Sequence, residues 1–277
     1  MTRLTGLIGY PVGHSLSPAM HNAAFSELSL DYSYTLLPTP PDELDARVRD
    51  CIKQDFAGWN ITVPHKQAML LYLDEMSDEV KATGACNTLR TDGGRLAGFN
   101  TDIAGFLRGL AEAGGIADGS NAVVLGAGGS ARAVAWALAG AGHNVTVMSR
   151  RAEQANEVAA LLSGGDGAIT SAAFDTATMR RQLQDASLLV NCTPAGMSPN
   201  TDSTPLPEDV QLHPGLLVYD LVYKPRPTRL LTEARAAGCR TQDGLAMLVG
   251  QGAEAFKLWT GMEPSIETMR RACEAGT

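Results

Sequence analysis

Apolar and polar positions along this chain keep two rhythms in turn. Short apolar runs, which suit strands, alternate with stretches whose apolar positions recur every three to four residues, which suit helices. In the first hundred residues this predicts strands at Leu4–Tyr10, Tyr32–Leu37 and Gly58–Thr62. Helices are predicted at about Pro18–Leu28 and Asp42–Gln54, with a short one beginning at Pro64. Ser17 suits an N-cap and Pro18 a first helical position. Strands at Ala85–Thr91 and Arg95–Phe99 flank Asp92-Gly93-Gly94, a hairpin turn. Thr101–Gly114 is an amphipathic helix with Ile103, Phe106, Leu107 and Leu110 on one face. The front of the chain is therefore α/β with a mixed sheet.

From Asn121 onward the alternation becomes regular. Ala122–Leu125, Val145–Met148, Ala168–Ser171, Leu188–Asn191 and Leu216–Leu221 read as strands separated by helical stretches, which means a parallel sheet. The tail from Gly244 is helical and carries Met247, Leu248, Gln251 and Phe256 on its first helix. The expected organisation is two α/β domains. One comprises residues 1–101 with the returning C-terminal helices 244–277; the other is residues 102–243, its sheet entered through the connector Gly114–Ser120. No internal repeat or low-complexity segment interrupts the pattern.

At 277 residues, with 44% hydrophobic and 19% charged residues, both domains have enough apolar surface for a core. A net charge of −8 without a basic stripe points away from nucleic acid. Cys51, Cys86, Cys192, Cys239 and Cys273 are an odd number at wide spacings, which suits reduced, mostly buried thiols in a cytoplasmic protein. The histidines show no metal-binding spacing. No apolar stretch approaches the ~18 residues of a membrane span, and no basic-then-apolar leader is seen.

The centre of the chemistry is Asn121–Ala133, NAVVLGAGGSARA. An apolar strand runs into a glycine cluster and an Ala-rich helix follows, the arrangement of a Rossmann-type dinucleotide-binding turn. Gly126, Gly128 and Gly129 let the backbone turn sharply and approach a ligand closely, and the amides of the new helix favour a pyrophosphate. After the second strand, where an acidic residue would accept from an NAD ribose, stand Ser149, Arg150 and Arg151. Guanidinium groups match a 2′-phosphate instead, which points to NADP.

The first hundred residues hold polar groups of more than one reading. Ser15 and Ser17 lie just before a helix, where two hydroxyls cradle a carboxylate; a cap and a polar loop explain them equally well. Asn60 and Thr62 share one face of a strand end, and Lys66 falls in the first turn of a helix, unfavourably for the dipole. Asn87 and Asp102 add an amide and an acid, and Asp102 suits a helix start on its own.

Taken in order, these segments resemble the shikimate dehydrogenase family over essentially the whole chain. The segments are GHSLSPAMHN (13–22), NITVPHK (60–66), GACNT (84–88), GFNTD (98–102), GAGGSARA (126–133) and SRR (149–151), followed by CTPAGM (192–197), YDLVYKPRPT (219–228) and DGLAMLVGQGAEAFKLWTG (243–261). The resemblance implies an oxidoreductase that reduces 3-dehydroshikimate to shikimate with NADPH, a step toward aromatic amino acids. It implies that Ser15 and Ser17 hold the substrate carboxylate, and that Asn60, Thr62, Asn87, Asp102, Gln251 and Tyr223 surround the ring hydroxyls. Lys66 would transfer the proton with Asp102 as its partner. Gly126, Ala127, Gly128, Gly129 and Ser130 would take the pyrophosphate, and Ser149, Arg150 and Arg151 the adenosine phosphate. Thr193, Leu221, Gly244 and Met247 would line the nicotinamide end, with Asp78 near the cofactor. Two departures stand out: Ser149-Arg150-Arg151 replaces Asn-Arg-Thr, and Cys86 replaces an aliphatic residue, a change expected to alter packing only.

Substrate on one domain and cofactor on the other lead to the expectation of a cleft that closes about a hinge. The nearest alternative is a quinate-oxidising or NAD-using sibling. The paired serines and the arginines favour shikimate and NADP. A monomer or homodimer is expected, with no nucleic-acid or membrane partner.

Overall fold

The computed structural model describes residues 2–163 and 167–276. It separates into two compact units, Met1–Gly105 with Leu248–Thr277, and Phe106–Met247.

The first unit opens with β1 (Arg3–Gly9), α1 (Ser17–Glu27), β2 (Tyr32–Pro38), α2 (Leu44–Lys53) and β3 (Gly58–Ile61). Then come β4 (Glu75–Met76), α3 (Asp78–Thr83), β5 (Thr88–Asp92), β6 (Arg95–Phe99) and the start of α4 (Asp102–Glu112). The strands form one mixed sheet in the order β2-β1-β3-β5-β6-β4. β1 runs parallel to β2 and β3, whereas β5 is antiparallel to both β3 and β6. At the hairpin, Asp92 pairs with Arg95, and Gly93 and Gly94 take φ of 57° and 83°, as a two-residue turn of matching twist requires. Ile8, Trp59, Ile61, Met69 and Leu89 form the centre of one core.

Three local expectations between α1 and the end of α4 are corrected. Leu16, not Ser17, is the N-cap of α1; Ser15 accepts from the Ser17 amide at 3.2 Å and so takes over the capping work two residues earlier. Lys66 does not lie in a helix. Its carbonyl accepts from the Cys86 amide at 2.8 Å, which holds the turn after β3 open, and only a short 3-10 helix at Ala68–Tyr72 follows. On α4, Ile103, Phe106 and Leu110 are buried, but Leu107 is exposed.

The second unit continues through β7 (Asn121–Leu125), α5 (Gly129–Gly140), β8 (Asn144–Ser149), α6 (Ala152–Leu161), β9 (Ile169–Ala173) and α7 (Thr176–Gln184). It then adds β10 (Leu188–Asn191), β11 (Leu217–Asp220), α8 (Arg229–Ala236), β12 (Arg240–Gln242) and the first turn of α9 (Leu245–Thr260). The sheet order is β12-β11-β10-β7-β8-β9, and every pairing is parallel. β10 and β11 are buried at every residue, which is why they read as unbroken apolar runs. Helix α5 presents Ala131, Ala133, Ala135 and Ala137 as buried residues, small side chains that allow close packing on a sheet. The rest of α9 and α10 (Ile266–Ala275) belong to the first unit.

Candidate active site

In the first unit, four separate segments bring polar side chains to one network. The turn after β3 supplies Lys66, whose Nζ lies 2.5 Å from Asp102 Oδ2. Asp102 opens α4, where a carboxylate is favoured by the helix dipole. Its other oxygen accepts from Asn87 Nδ2 at 2.9 Å. The ion pair is largely shielded, with side-chain exposures of 11% for Lys66 and 6% for Asp102, so solvent screens it little.

Asn87 is held from both ends. Its Oδ1 accepts from the Thr101 amide at 2.7 Å, and its Nδ2 also donates to Thr101 Oγ1 at 2.9 Å and to Gln251 Oε1 at 3.4 Å. Gln251, on α9, donates in turn to the Leu248 carbonyl at 2.8 Å. Asn60 is committed elsewhere: its amide donates to Thr88 Oγ1 and to the Asn87 carbonyl, while its oxygen accepts from Tyr34 Oη at 2.8 Å. Both Asn60 N–H groups are spent inside the protein, so the capacity left on its side chain is that of an acceptor.

Ser15 Oγ donates to Ser17 Oγ at 3.1 Å, placing the two hydroxyls together at the start of α1. Thr62 lies one residue past β3, its backbone bonded to Ile8 and His65. Cys86 donates its thiol to the Thr88 carbonyl at 3.3 Å, and burial pushes that thiol up to about 12, so it stays protonated beside Lys66. Asp78 is exposed on α3 and pairs with Lys81 at 3.1 Å.

In the second unit, the expected cofactor residues gather at the C-terminal ends of the parallel strands, where open α/β sheets bind ligands. The order reverses between β7 and β10. Gly126, at φ 112°, turns the chain out of β7, and a Cβ there would lie 3.3 Å from the Cys192 carbonyl oxygen. Gly128 is the N-cap of α5 and makes no side-chain cap bond, and a Cβ on it would meet nothing within 4 Å. Ala127 and Ser130 complete the turn. A helix start lined by glycine backbone is a fitting cradle for a pyrophosphate. Ser149 ends β8, and exposed Arg150 and Arg151 lead into α6. Thr193 follows β10, and Leu221 and Tyr223 follow β11. Gly244 and Met247 lie at the start of α9, and the Gly244 amide donates to the Val222 carbonyl at 3.3 Å. Of the expected substrate residues, Tyr223 alone is in this unit.

Residues beyond the expected set also emerge. Tyr34, Thr88 and Thr101 orient the first network, and Asn191, Asp220 and Thr228 form a buried cluster in the second unit. Asp220 is fully buried, and burial holds its carboxyl above the usual range despite hydrogen bonds from Thr228, Val222 and Asn191. Thr88 and Thr101 sit inside segments already singled out, so adjacency was the available signal. Tyr34 carries none, since only sheet pairing brings β2 near β3.

The profile of the shikimate dehydrogenase substrate binding domain matches residues 7–89, and that of the shikimate 5′-dehydrogenase C-terminal domain matches residues 244–274. Shikimate dehydrogenase (NADP(+)) of Methanopyrus kandleri is 46% identical over 274 residues, covering 98% of this chain and 94% of that protein. The chain belongs to the shikimate dehydrogenase family. Among solved structures, it is similar to the Thermus thermophilus shikimate 5-dehydrogenase in complex with NADP(H) and shikimate, at 40% identity, TM-score 0.89 and full coverage of both chains (100% each). It is also similar to a quinate dehydrogenase from Corynebacterium glutamicum in complex with NAD, at 33% identity and TM-score 0.89, covering 99% of each chain. Membership of the family accounts for both sheets, one mixed and one parallel. Among the described residues, no helix is long and apolar enough to cross a membrane.

Proposed function

We propose that this chain catalyses the reversible NADPH-dependent reduction of 3-dehydroshikimate to shikimate in aromatic amino acid biosynthesis. The observation that carries this reading is the shielded Lys66–Asp102 pair, bonded through Asn87 to Gln251. An amine and an acid within a web of neutral amides and hydroxyls suit a polyhydroxylated ketone.

When bound, NADPH supplies a hydride to the carbonyl carbon. Lys66, as an ammonium, hydrogen-bonds the ketone oxygen, offsets the alkoxide charge that develops there and gives up its proton to complete the alcohol. Asp102 aims Lys66 with one oxygen and is itself held by Asn87 through the other. The Ser15 and Ser17 hydroxyls take the substrate carboxylate. Asn60, Thr62, Asn87, Asp102, Gln251 and Tyr223 take the ring hydroxyls, Asn60 as an acceptor only. Gly126, Ala127, Gly128, Gly129 and Ser130 hold the pyrophosphate, Ser149, Arg150 and Arg151 the 2′-phosphate, and Thr193, Leu221, Gly244 and Met247 the nicotinamide end. We place the protein in the cytoplasm as a monomer or homodimer, a setting in which its five free cysteines remain reduced.

The similar quinate dehydrogenase bound to NAD marks the alternative. Ser17 and Arg150 argue against it, because quinate adds a hydroxyl near the carboxylate and NAD has no phosphate for the guanidinium. Initial rates of the purified protein with shikimate or quinate, each against NADP⁺ and NAD⁺, test the choice. Fastest turnover with shikimate and NADP⁺ is expected; turnover confined to quinate and NAD⁺ would overturn both substrate and cofactor.

A further inference from the structure

We infer that Asp220 is a positioning residue for the cofactor: through Asn191 and Thr228 it fixes the loops that carry Thr193, Leu221 and Gly244 at the strand ends of the second unit. This inference rests on the reading that those three residues line the nicotinamide end.

The geometry is a bracket across two neighbouring strands. Asp220 ends β11 and Asn191 ends β10, and the two residues pair directly in the sheet register. Asp220 Oδ1 accepts from Asn191 Nδ2 at 2.9 Å and from the Val222 amide at 3.1 Å, while Oδ2 accepts from Thr228 Oγ1 at 2.6 Å. With its amide nitrogen held this way, Asn191 turns its oxygen toward the next loop. There it accepts from the Thr193 amide at 3.0 Å and from Thr193 Oγ1 at 2.7 Å. Thr193 Oγ1 accepts from the Ala195 amide at 3.3 Å, so the loop after β10 folds around a side chain that Asn191 orients.

The same bracket reaches the other two positions. The Leu221 amide donates to the Asn191 carbonyl at 3.0 Å, and the Gly244 amide donates to the Val222 carbonyl at 3.3 Å. Gly244 packs on the Leu221 backbone with no room for a Cβ. Thr228, which caps α8 by accepting from the Leu231 amide, closes the bracket on its far side. Asp220, Asn191 and Thr228 are each at most 1% exposed, so none of the three offers itself to a ligand. Thr193 and Leu221 are only half-buried. A buried acceptor organising half-exposed residues acts through them, and its loss leaves buried donors unpaired and the loops free to rearrange.

Steady-state kinetics on wild type, Asp220→Asn, Thr228→Val and Thr228→Ser, with thermal melts of each, test this. Asp220→Asn is expected to raise KM for NADP⁺ about tenfold, as loss of one well-placed hydrogen bond does, with KM for shikimate within about twofold. Thr228→Val should follow it, and Thr228→Ser, which keeps the hydroxyl, should return to wild-type values. If Asp220→Asn does not fold, the Thr228 pair decides the matter alone. Unchanged KM for NADP⁺ in the variants would overturn the inference. So would equal rises in both KM values alongside a lowered melting temperature, the mark of general loosening. A wild type that uses only NAD⁺ would sink the cofactor reading itself, and the same KM comparison would then be scored with NAD⁺.

Discussion

Asp102 and Asp220 sit in different units, yet their surroundings are nearly copies of each other. Each is buried, and each accepts from an asparagine Nδ2 at 2.9 Å. In both cases that asparagine's oxygen accepts from the backbone amide of a threonine, Thr101 in one and Thr193 in the other. The difference lies on the second carboxylate oxygen, where Asp102 has the Lys66 ammonium and Asp220 has the Thr228 hydroxyl. An ammonium can deliver a proton and balance a growing negative charge; a threonine hydroxyl can only hold position. In the proposed function one bracket serves chemistry and the other placement, and what sets them apart is the partner on a single oxygen.

The sharpest way to break that comparison is to remove the cation. Lys66→Ala is expected to lower kcat by about 10²-fold or more, with KM for shikimate and NADP⁺ little moved, as loss of a proton-transfer group should. Asp220→Asn is expected to do the reverse and act on KM for NADP⁺. Stopped-flow and steady-state rates on both variants read the contrast. Normal turnover in Lys66→Ala would remove the lysine from the mechanism and make the two brackets equivalent.

How much of this was legible beforehand follows from burial and from distance along the chain. β7, β10 and β11 are covered on both faces, so their apolar runs stood out, and the glycine turn after β7 announced itself by residue type. β12, written Arg-Thr-Gln at the sheet edge, has no apolar residue, and β4, only Glu75–Met76, is too short to show a pattern, so both were invisible. Lys66 was readable as a candidate, but its setting was not. Its carbonyl is claimed by Cys86, a partner twenty residues on, which local pattern does not encode. The Asp220 bracket was hidden for a related reason: polar residues at strand ends look like ordinary loop chemistry until pairing in the sheet puts Asn191 beside Asp220.

The walls of the first network provide the next test. His21 lies one turn beyond Ser17 on α1, fully buried and stacked on Tyr34 with ring centroids 4.4 Å apart; Tyr34 in turn orients Asn60. Burial lowers the His21 pKa from 6.5 to about 3. The folded state therefore binds its proton more weakly than the unfolded chain does. The stability this contributes is complete above pH 6.5 and is lost as pH falls toward 3. Between pH 7 and pH 4.5 the loss amounts to roughly 2–3 kcal/mol. Urea unfolding of wild type and His21→Phe at the two pH values should show a steeper fall for wild type by that amount. Parallel falls would mean that His21 is not neutral in the folded protein.

The smallest effect is expected where the second unit meets solvent. The turn after β7 and the Asp220 bracket are made of backbone and buried groups, whereas Arg150, proposed to take the 2′-phosphate, is exposed. A charge-assisted bond to a 2′-phosphate at such a site contributes roughly 1.5 kcal/mol, about tenfold in kcat/KM. Arg150→Ala should therefore lower kcat/KM for NADP⁺ about tenfold and leave that for NAD⁺ unchanged. Added salt should shrink the gap between wild type and variant, because an exposed charge is screened where a buried bracket is not. Equal losses with NADP⁺ and NAD⁺ would mean that Arg150 shapes the loop and does not read the phosphate.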